Sequence, residues 1–364
     1  MSADDLPDPT GLPGLPHPRE TTRLIGQEAA EAEFLAARAG GRLHSGWLIT
    51  GPMGVGKATL AYRIAAHLLS GRGGAESLDL PEGDPDLRLI RNGSHPRLFV
   101  LKRGPNDKGD RLSAQIRVDE VRKLKSFFHL SSTDGGHRVV IVDAADEMNP
   151  SAANAVLKEL EEPPADTTLL LISHQPSGLL PTIRSRCRVL RLRPLEPAPL
   201  AEALAQSGVA SDAPEALAVL AAGSVGGAAR IAQLDGRALY AELVGLLSGL
   251  PRMDRPRAIA LAESCGGKAA ETRFPLLLDL IDLLLTRAAR AGLAGEPDLQ
   301  GASGEARLLV ALAPDARAAR RIAELQQELS ARARHGRAVN LDPSALLLDM
   351  LLRIEATAAE TAAA

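Results

Sequence analysis

Short apolar runs alternate with helical patterns along the chain from about Gly46 to Leu195. This alternation predicts a parallel sheet wrapped by helices, which is the α/β class of fold. The apolar runs identify five candidate strands: 47–50, 97–102, 138–142, 168–173 and 188–192. The middle three are nearly continuous runs of Val, Ile and Leu, as expected for strands that are buried on both faces.

Two helices of this region have clear sequence patterns. Leu60, Ile64 and Leu68 recur at helical spacing and form one apolar face of a helix over 57–69. A second helix is predicted to begin at Asn149-Pro150 and to end at Pro163-Pro164. Residues 71–96 are rich in Gly, Asp and Pro and are predicted to form a long loop.

After Pro194 the strand-like runs disappear, and alanine and leucine at helical spacing continue almost to the end. The pattern predicts a small helical domain over 196–236 and a larger all-α domain over 237–356. The last helix is predicted to start at Asp342-Pro343. The acidic, Pro-rich residues 1–20 predict a disordered leader, and residues 357–364 predict a disordered tail.

Composition excludes several classes of protein. A formal net charge of −3 provides no global field for nucleic acid, so any DNA contact requires a local patch. Cys187 and Cys265 are the only cysteines, which excludes a disulfide framework and a four-cysteine zinc site. The longest apolar stretch, 276–285, is interrupted by two aspartates and is too short to span a bilayer. We therefore expect a cytoplasmic chain without membrane partners.

The segment GPMGVGKAT, 51–59, follows a predicted strand and opens a predicted helix, which is the context that a phosphate-binding P-loop requires. Gly51, Gly54 and Gly56 allow successive backbone N–H groups to point into one concavity. Lys57 would then contact the β- and γ-phosphates of a nucleotide. A glycine-rich turn without a ligand is the alternative interpretation.

The residue after the lysine departs from the P-loop motif. That position requires Ser or Thr because its hydroxyl group binds Mg²⁺, and this chain has Ala58. Thr59 follows, but a helix turns about 100° per residue, so its hydroxyl cannot simply replace the missing one. Thr59 is retained with the loop as a candidate nucleotide-binding residue.

A second departure follows the predicted strand 138–142. Asp143 is placed at the carboxyl end of this strand, where an acid can hold Mg²⁺ through water. Active ATPases with this pattern have a glutamate next, which orients the attacking water, and this chain has Ala144. Asp146 and Glu147 lie further along and are poor candidates to replace it. Loss of both groups predicts that ATP hydrolysis is slower by orders of magnitude. Two alternatives remain for the loop itself: it binds ATP or ADP without turnover, or it binds no nucleotide.

Several segments in fixed order resemble clamp-loader subunits of the AAA+ family, and most closely those of the delta-prime type in bacterial DNA polymerase III. The segments are RLIGQE at 23–28, NAVLKELEEPP at 154–164, Ser185-Arg186-Cys187, and VNLDPSALLLDMLLRI at 339–354. The resemblance covers most of 23–355. It implies an AAA+ P-loop domain over 21–195, a helical lid over 196–236 and a helical collar over 237–356.

The departures favour the delta-prime type over the motor type, which is tau/gamma. Ala58 and Ala144 replace two groups that motor subunits keep, and Gly226 stands where motors carry a sensor-2 arginine, with Arg230 a turn later. Better-known delta-prime subunits have a cysteine-rich zinc module after the P-loop helix. Residues 71–96 contain no cysteine, so we predict no zinc.

The resemblance also implies roles and partners. Arg186 would be an arginine finger that acts in trans on a neighbouring motor subunit, and Ser173 and His174 would occupy the sensor-1 positions. The implied partners are the tau/gamma motors, the delta subunit, the sliding clamp indirectly, and primed DNA through the assembled ring. The chain itself would have no polymerase activity and little or no ATPase activity. Two alternatives remain: Arg186 is a surface arginine paired with an acid, and the chain is an autonomous ATPase motor.

A basic cluster over 97–125 has two interpretations. It contains nine Lys and Arg residues: Arg97, Lys102, Arg103, Lys108, Arg111, Arg117, Arg122, Lys123 and Lys125. Such a cluster can line a DNA channel in an assembled ring. Four acidic residues are interspersed, and the segment lacks the repeated interleaving of aromatic residues that suggests base stacking, so a solvated face is favoured.

Overall fold

A computed structural model of the protein describes residues 6, 8–12, 14–21, 23–41, 43–130, 135–209, 213–267 and 271–363. The chain divides into two compact units. The first extends to Gly208 and takes in Ser224–Gly226, and the second comprises Val209–Gly223 and Gly227–Ala364. The unit boundary therefore lies close to, but not at, the boundary at 195 that the sequence predicts.

The first unit is built on one parallel sheet of five strands. The strands are β1 (Gly46–Thr50), β2 (Leu98–Leu101), β3 (Arg138–Val142), β4 (Thr167–Ser173) and β5 (Arg188–Arg191). Their order across the sheet is β2-β3-β4-β1-β5, and every adjacent pair is parallel. All five strands predicted from the sequence are confirmed, as is the α/β class.

Helices of the first unit cover both faces of this sheet. They are α1 (Glu28–Ala39), α2 (Lys57–Ser70), α3 (Pro85–Arg91), α4 (Val118–Leu130), α5 (Pro150–Glu161), α6 (Pro181–Ser185) and α7 (Pro197–Gln206). Successive strand side chains point to opposite faces, so each strand supplies two cores. Trp47 and Ile49 of β1 pack with α1 and α2, whereas Leu48 packs with α4, α5 and α6.

The remaining helices belong mainly to the second unit, in which the described residues form no strand. They are α8 (Pro214–Leu220), α9 (Val225–Gln233), α10 (Gly236–Leu247), α11 (Arg255–Glu263), α12 (Arg273–Ala294), α13 (Glu305–Leu312), α14 (Ala316–Ala338) and α15 (Pro343–Ala363). The longest, α12 and α14, pack against each other. No single described helix is both long and apolar enough to cross a membrane.

The structure differs from the sequence-based expectation for the long loop over 71–96. This segment contains α3, a helix of seven residues. Asp84 caps it by accepting hydrogen bonds from the backbone N–H groups of Asp86 and Leu87, and Pro85 occupies the first turn. Ile90 is buried beneath the helix. An Asp-Pro start and one apolar anchor were enough to form a helix in a segment dominated by loop-forming residues.

The two chain ends also differ from the predicted disorder. Described residues of the leader form turns, and Asp8 makes a 2.6 Å ion pair with Lys102. Residues 1–5, 7 and 13 of that leader lie outside the described residues. At the other end α15 continues through most of the predicted tail, because Thr357 and Ala358 are buried and alanine favours the helix.

Candidate functional site

The P-loop closes the carboxyl end of β1 and leads directly into α2. Gly54 has a φ of 76° and Gly56, the residue before the helix, has a φ of 98°, both in the left-handed region that favours glycine. A Cβ atom at Gly54 would lie 2.4 Å from the hydroxyl oxygen of Ser224. The backbone of the phosphate loop is thus formed as its glycine spacing predicts.

The lysine of the loop is turned back onto the loop itself. Lys57 is 3% exposed, and its Nζ donates hydrogen bonds to the carbonyl oxygens of Gly51 at 2.7 Å and Pro52 at 2.5 Å. Burial lowers the pKa of Lys57 to about 8, although the negative charges of Asp143 and Asp146 oppose this shift. Lys57 would have to leave both carbonyl groups in order to bind a phosphate.

A segment far along the chain covers the loop from the other side. The hydroxyl of Ser224 donates to the carbonyl of Met53 at 2.8 Å, and the N–H of Gly226 donates to the carbonyl of Gly54 at 3.2 Å. Gly226 is the residue that the sequence analysis assigns to the sensor-2 position. A Cβ atom added to it would lie 2.5 Å from Cδ1 of Leu12 and 3.4 Å from the Cα atom of Gly54, so a larger residue here would require the Leu12 side chain to move.

Arg230, which comes one turn after Gly226, forms an ion pair with Asp279 within the second unit. Both side chains are substantially exposed, at 44% and 64%, so this ion pair contributes little to stability.

Asp143 is poorly suited to hold a metal ion. Burial, with the nearby Glu147 carboxylate, raises the pKa of Asp143 to about 7, so the group is partly protonated near neutral pH. Ala58 lies where a hydroxyl ligand is needed and has no oxygen in its side chain. The side chains at positions 58 and 143 therefore offer one oxygen-bearing group where the P-loop pattern supplies two.

The acids that follow Asp143 are both engaged elsewhere. The carboxylate of Asp146 accepts a 2.7 Å hydrogen bond from the Ser173 hydroxyl and another from the backbone N–H of His174. Glu147 forms a 3.0 Å ion pair with Arg103. Neither acid is free to take over the water-orienting role that Ala144 lacks.

The two sensor-1 residues, Ser173 and His174, lie at the carboxyl end of β4. Ser173 is fully buried, and its hydroxyl donates a 2.7 Å hydrogen bond to the carboxylate of Asp146. His174 lines the cavity beside the P-loop, and burial lowers its pKa. These contacts tie the end of β4 to the turn after β3.

A cavity of about 220 Å³ lies beside the P-loop, entirely within the first unit. Most of its walls are apolar, and the chain contributes to them from the leader, the RLIGQE segment and α7. The apolar residues include Leu12, Leu15, Leu24, Ile25, Ile172, Leu195, Ala203 and Val225. Thr59 lies at its wall but is nearly buried, at 9% exposure. The P-loop side of this largely apolar cavity carries the contacts made by Lys57, Ser224 and Gly226.

Arg186 lies at the opposite end of the sheet from this cavity. It follows α6 and precedes β5, so it is at the amino ends of the strands, whereas the P-loop is at their carboxyl ends. The five residues of β1 separate the two ends by about 15 Å. The Arg186 side chain is 39% exposed and forms a 2.9 Å ion pair with Glu161. It is neither buried nor directed at its own P-loop.

Comparison with known proteins identifies the family. The sequence model of the family described as "DNA polymerase III, delta subunit" matches residues 26–196. A DNA polymerase III subunit delta' from Pseudomonas aeruginosa is 37% identical over 252 residues, which cover 68% of this chain and 73% of that protein. The chain belongs to the DNA polymerase III delta-prime family.

Further relatives of the delta-prime chain cover less of it. The subunit delta' from Bacillus subtilis is 34% identical over 168 residues, which are 46% of this chain and 48% of that protein. A DNA polymerase III subunit gamma/tau from Mycobacterium bovis is 30% identical over 200 residues, which are 54% of this chain and 33% of that protein. This chain is thus similar to gamma/tau subunits as well as to delta' subunits.

The basic cluster of this delta-prime chain is largely paired with acids. Seven of its nine side chains form ion pairs with carboxylates: Arg97, Lys102, Arg103, Arg111, Arg117, Arg122 and Lys123. Paired charges contribute little net positive field. The arrangement favours a solvated face, as the sequence analysis does.

Cys187, which follows Arg186, serves as a packing residue. Its side chain packs against the apolar cluster beneath α5 and α6. Burial raises the pKa of the Cys187 thiol to about 12, so the thiolate form that a nucleophile requires is scarce near neutral pH. Its place in the sequence is explained by its small size rather than by its reactivity.

Proposed function

We propose that this chain, as a DNA polymerase III clamp-loader subunit, supplies Arg186 in trans to the ATP site of a neighbouring motor subunit. Its own P-loop cavity does not turn over ATP. The observation that carries the proposal is the position of Arg186, which is exposed at the end of the sheet opposite to its own cavity. An arginine in that position can serve only a site outside its own P-loop.

The chemistry of a guanidinium suits this role. Phosphoryl transfer builds charge on the γ-phosphate oxygens. An arginine supplied by a neighbouring subunit stabilises that charge and raises the rate of hydrolysis by about 10³- to 10⁵-fold. A guanidinium remains protonated at all physiological pH values and presents planar, paired donors. Arg184, which is exposed on α6, shares both properties, so charge and planarity alone do not distinguish the two arginines.

Three features support the loss of hydrolysis in this chain. Ala58 and Ala144 lack the groups that hold Mg²⁺ and orient water, Lys57 is bonded to the carbonyls of its own loop, and Gly226 stands where motor subunits carry an arginine. The partners in this role are a motor subunit of the tau/gamma kind, the delta subunit, the sliding clamp and primed DNA. The role places the chain in the cytoplasm, with the replicating DNA.

The helices of 237–356 are proposed to form the collar through which the subunit assembles with its partners. These residues include the two longest of the helices of the second unit, α12 and α14, which pack against each other. A chain truncated before Arg237 should remain able to fold its P-loop unit but should fail to co-purify with the motor subunits. Co-purification of the truncated chain at normal yield would contradict this part of the proposal.

The direct test of the proposed role is the ATPase rate of the complete clamp loader assembled with Arg186→Ala. We expect normal assembly and a lower rate, because one ATP site loses its finger. Arg184→Ala is the matched control, since Arg184 is exposed on the same helix and forms no ion pair among the described residues. An unchanged rate with Arg186→Ala would remove the proposal.

A further inference from the structure

Glu161 and Thr182 together hold the Arg186 guanidinium on the surface of this chain. Oε1 of Glu161 lies 2.9 Å from Nη2 of Arg186. Nη1 of Arg186 donates to the backbone carbonyl of Thr182 at 3.1 Å. The two acceptors come from different elements, the last residue of α5 and the first turn of α6.

The backbones on both sides of this pair are fixed by the core. Leu160, the residue before Glu161, and Ile183 of α6 are buried in the same apolar cluster. Gly46 of β1 leaves room for Leu160 and for the backbone of Arg186. A Cβ atom at Gly46 would lie 2.7 Å from Leu160 Cδ2 and 3.1 Å from the carbonyl oxygen of Arg186. The distance between the two chain positions is therefore set by packing, and only the side chains retain freedom.

The Arg186 guanidinium has enough N–H groups to bind a ligand while it keeps its contacts with Glu161 and Thr182. A guanidinium has five N–H groups. One is donated to the Thr182 carbonyl, and the Glu161 carboxylate forms an ion pair at Nη2, so N–H groups on Nε, Nη1 and Nη2 remain for a ligand. The group can therefore donate to phosphate oxygens without leaving Glu161.

We propose that Glu161 is a positioning residue for Arg186, which orients the guanidinium for the γ-phosphate of a nucleotide held by the adjoining subunit. The inference rests on the proposed function of Arg186. It gives Glu161, the first of the two acids in LEEPP at 160–164, a part in the reaction of another subunit. Glu161 acts only through Arg186 and does not itself touch the nucleotide.

The charge of Glu161 has an opposing effect, because a carboxylate beside the guanidinium offsets part of its positive charge. Both side chains are substantially exposed, at 39% and 42%, so water and salt screen this attraction. Restriction of a long, exposed side chain is the larger effect. Removing the acceptor should therefore slow the reaction rather than speed it.

The test uses the assembled clamp loader with normal motor subunits and compares Glu161→Ala with Glu161→Gln. Hydrolysis is followed in a single turnover, and the phase that disappears with Arg186→Ala identifies the site in question. Glu161→Ala should slow this phase by about two- to five-fold, in keeping with the strength of an exposed ion pair. Glu161→Gln, which keeps an acceptor, should retain most of the rate.

Two controls separate a positioning role from a general structural one. Glu162→Ala removes the adjacent exposed acid, which forms no ion pair among the described residues, and should leave the rate unchanged. In an Arg186→Ala background, Glu161→Ala should have no further effect, because its only route to the reaction is gone.

The outcomes are distinguishable from failure of the proposed function. If Arg186→Ala slows the reaction and Glu161→Ala leaves it equal or faster, the positioning role is wrong and the finger remains. An effect of Glu161→Ala that persists without Arg186 would also overturn the positioning role. If Arg186→Ala itself has no effect, both the proposed function and this inference are wrong.

Discussion

Gly46 lies directly against the backbone of Arg186. It is the first residue of β1, and a Cβ atom built on it would meet the carbonyl oxygen of Arg186 at 3.1 Å. The same atom would meet the Cys187 sulfur at 3.3 Å. Strand β1 thus approaches the backbone of the arginine through a residue without a side chain.

Gly46→Ala should therefore destabilise the chain and move Arg186. Overpacking a core position costs about 1–3 kcal/mol, and here part of the contact is with backbone that cannot rotate away. Urea unfolding followed by the fluorescence of Trp47, the single tryptophan, measures the loss. Gly178→Ala is the control, because no atom lies within 4 Å of its added Cβ. Equal stability of the two variants would contradict the packing account.

The isolated chain should hydrolyse no ATP above background, and Ala58→Thr with Ala144→Glu should restore weak turnover. The two substitutions return the metal-binding hydroxyl and the water-orienting carboxylate. We expect a kcat below about 1 s⁻¹ because Gly226 still leaves the sensor-2 position without an arginine. Lys57→Ala in the same background should abolish the gain.

Two results would contradict this prediction. A kcat of about 1 s⁻¹ or more for the unmodified chain would favour an autonomous motor subunit. No gain at all in the double variant would show that the two alanines are not the main cause of the loss.

Asp143 should make the stability of the chain depend on pH. Burial and the neighbouring Glu147 raise the pKa of Asp143 from 3.8 to about 7. The folded state then binds this proton more tightly than the unfolded state, so the free energy of unfolding falls as pH rises from about 4 to about 7. Asp143→Asn should remove this component and flatten the dependence.

Urea unfolding at pH 5 and pH 8 measures this effect. Asp107→Asn is the control, because the Asp107 side chain is 91% exposed. An Asp143→Asn variant that loses as much stability as the unmodified chain between the two pH values would contradict the assignment.

The sheet and the P-loop could be predicted because each depends on a short, continuous pattern of residues. Apolar runs such as Val139–Val142 form strands wherever both faces are covered, and the spacing of Gly51, Gly54 and Gly56 defines the loop. The helix α3 was missed although Asp84-Pro85 was visible. The many loop-forming residues around Asp84-Pro85 led to the prediction of a loop. A helix as short as α3 is stable only because Ile90 is buried in the folded chain, which the sequence does not show.

The contacts around the site could not be predicted because they join distant segments. Ser224 reaches Met53, Asp146 reaches Ser173, and Glu161 reaches Arg186 only after the sheet has brought them together. Sequence patterns identify an acid or a hydroxyl but do not show which partner it will have. The pairing of Arg186 with an acid was foreseen only as one of two alternatives, and the structure shows that pairing and exposure occur together.

The central claim is that Arg186 acts in a neighbouring ATP site and not in its own. A single-turnover measurement of ATP hydrolysis by the complete clamp loader, assembled with Arg186→Ala, tests it most directly. One phase of hydrolysis should slow by about 10³-fold or more while the other phases and nucleotide binding by the motor subunits stay normal. A time course that matches the unmodified complex in every phase would contradict the account.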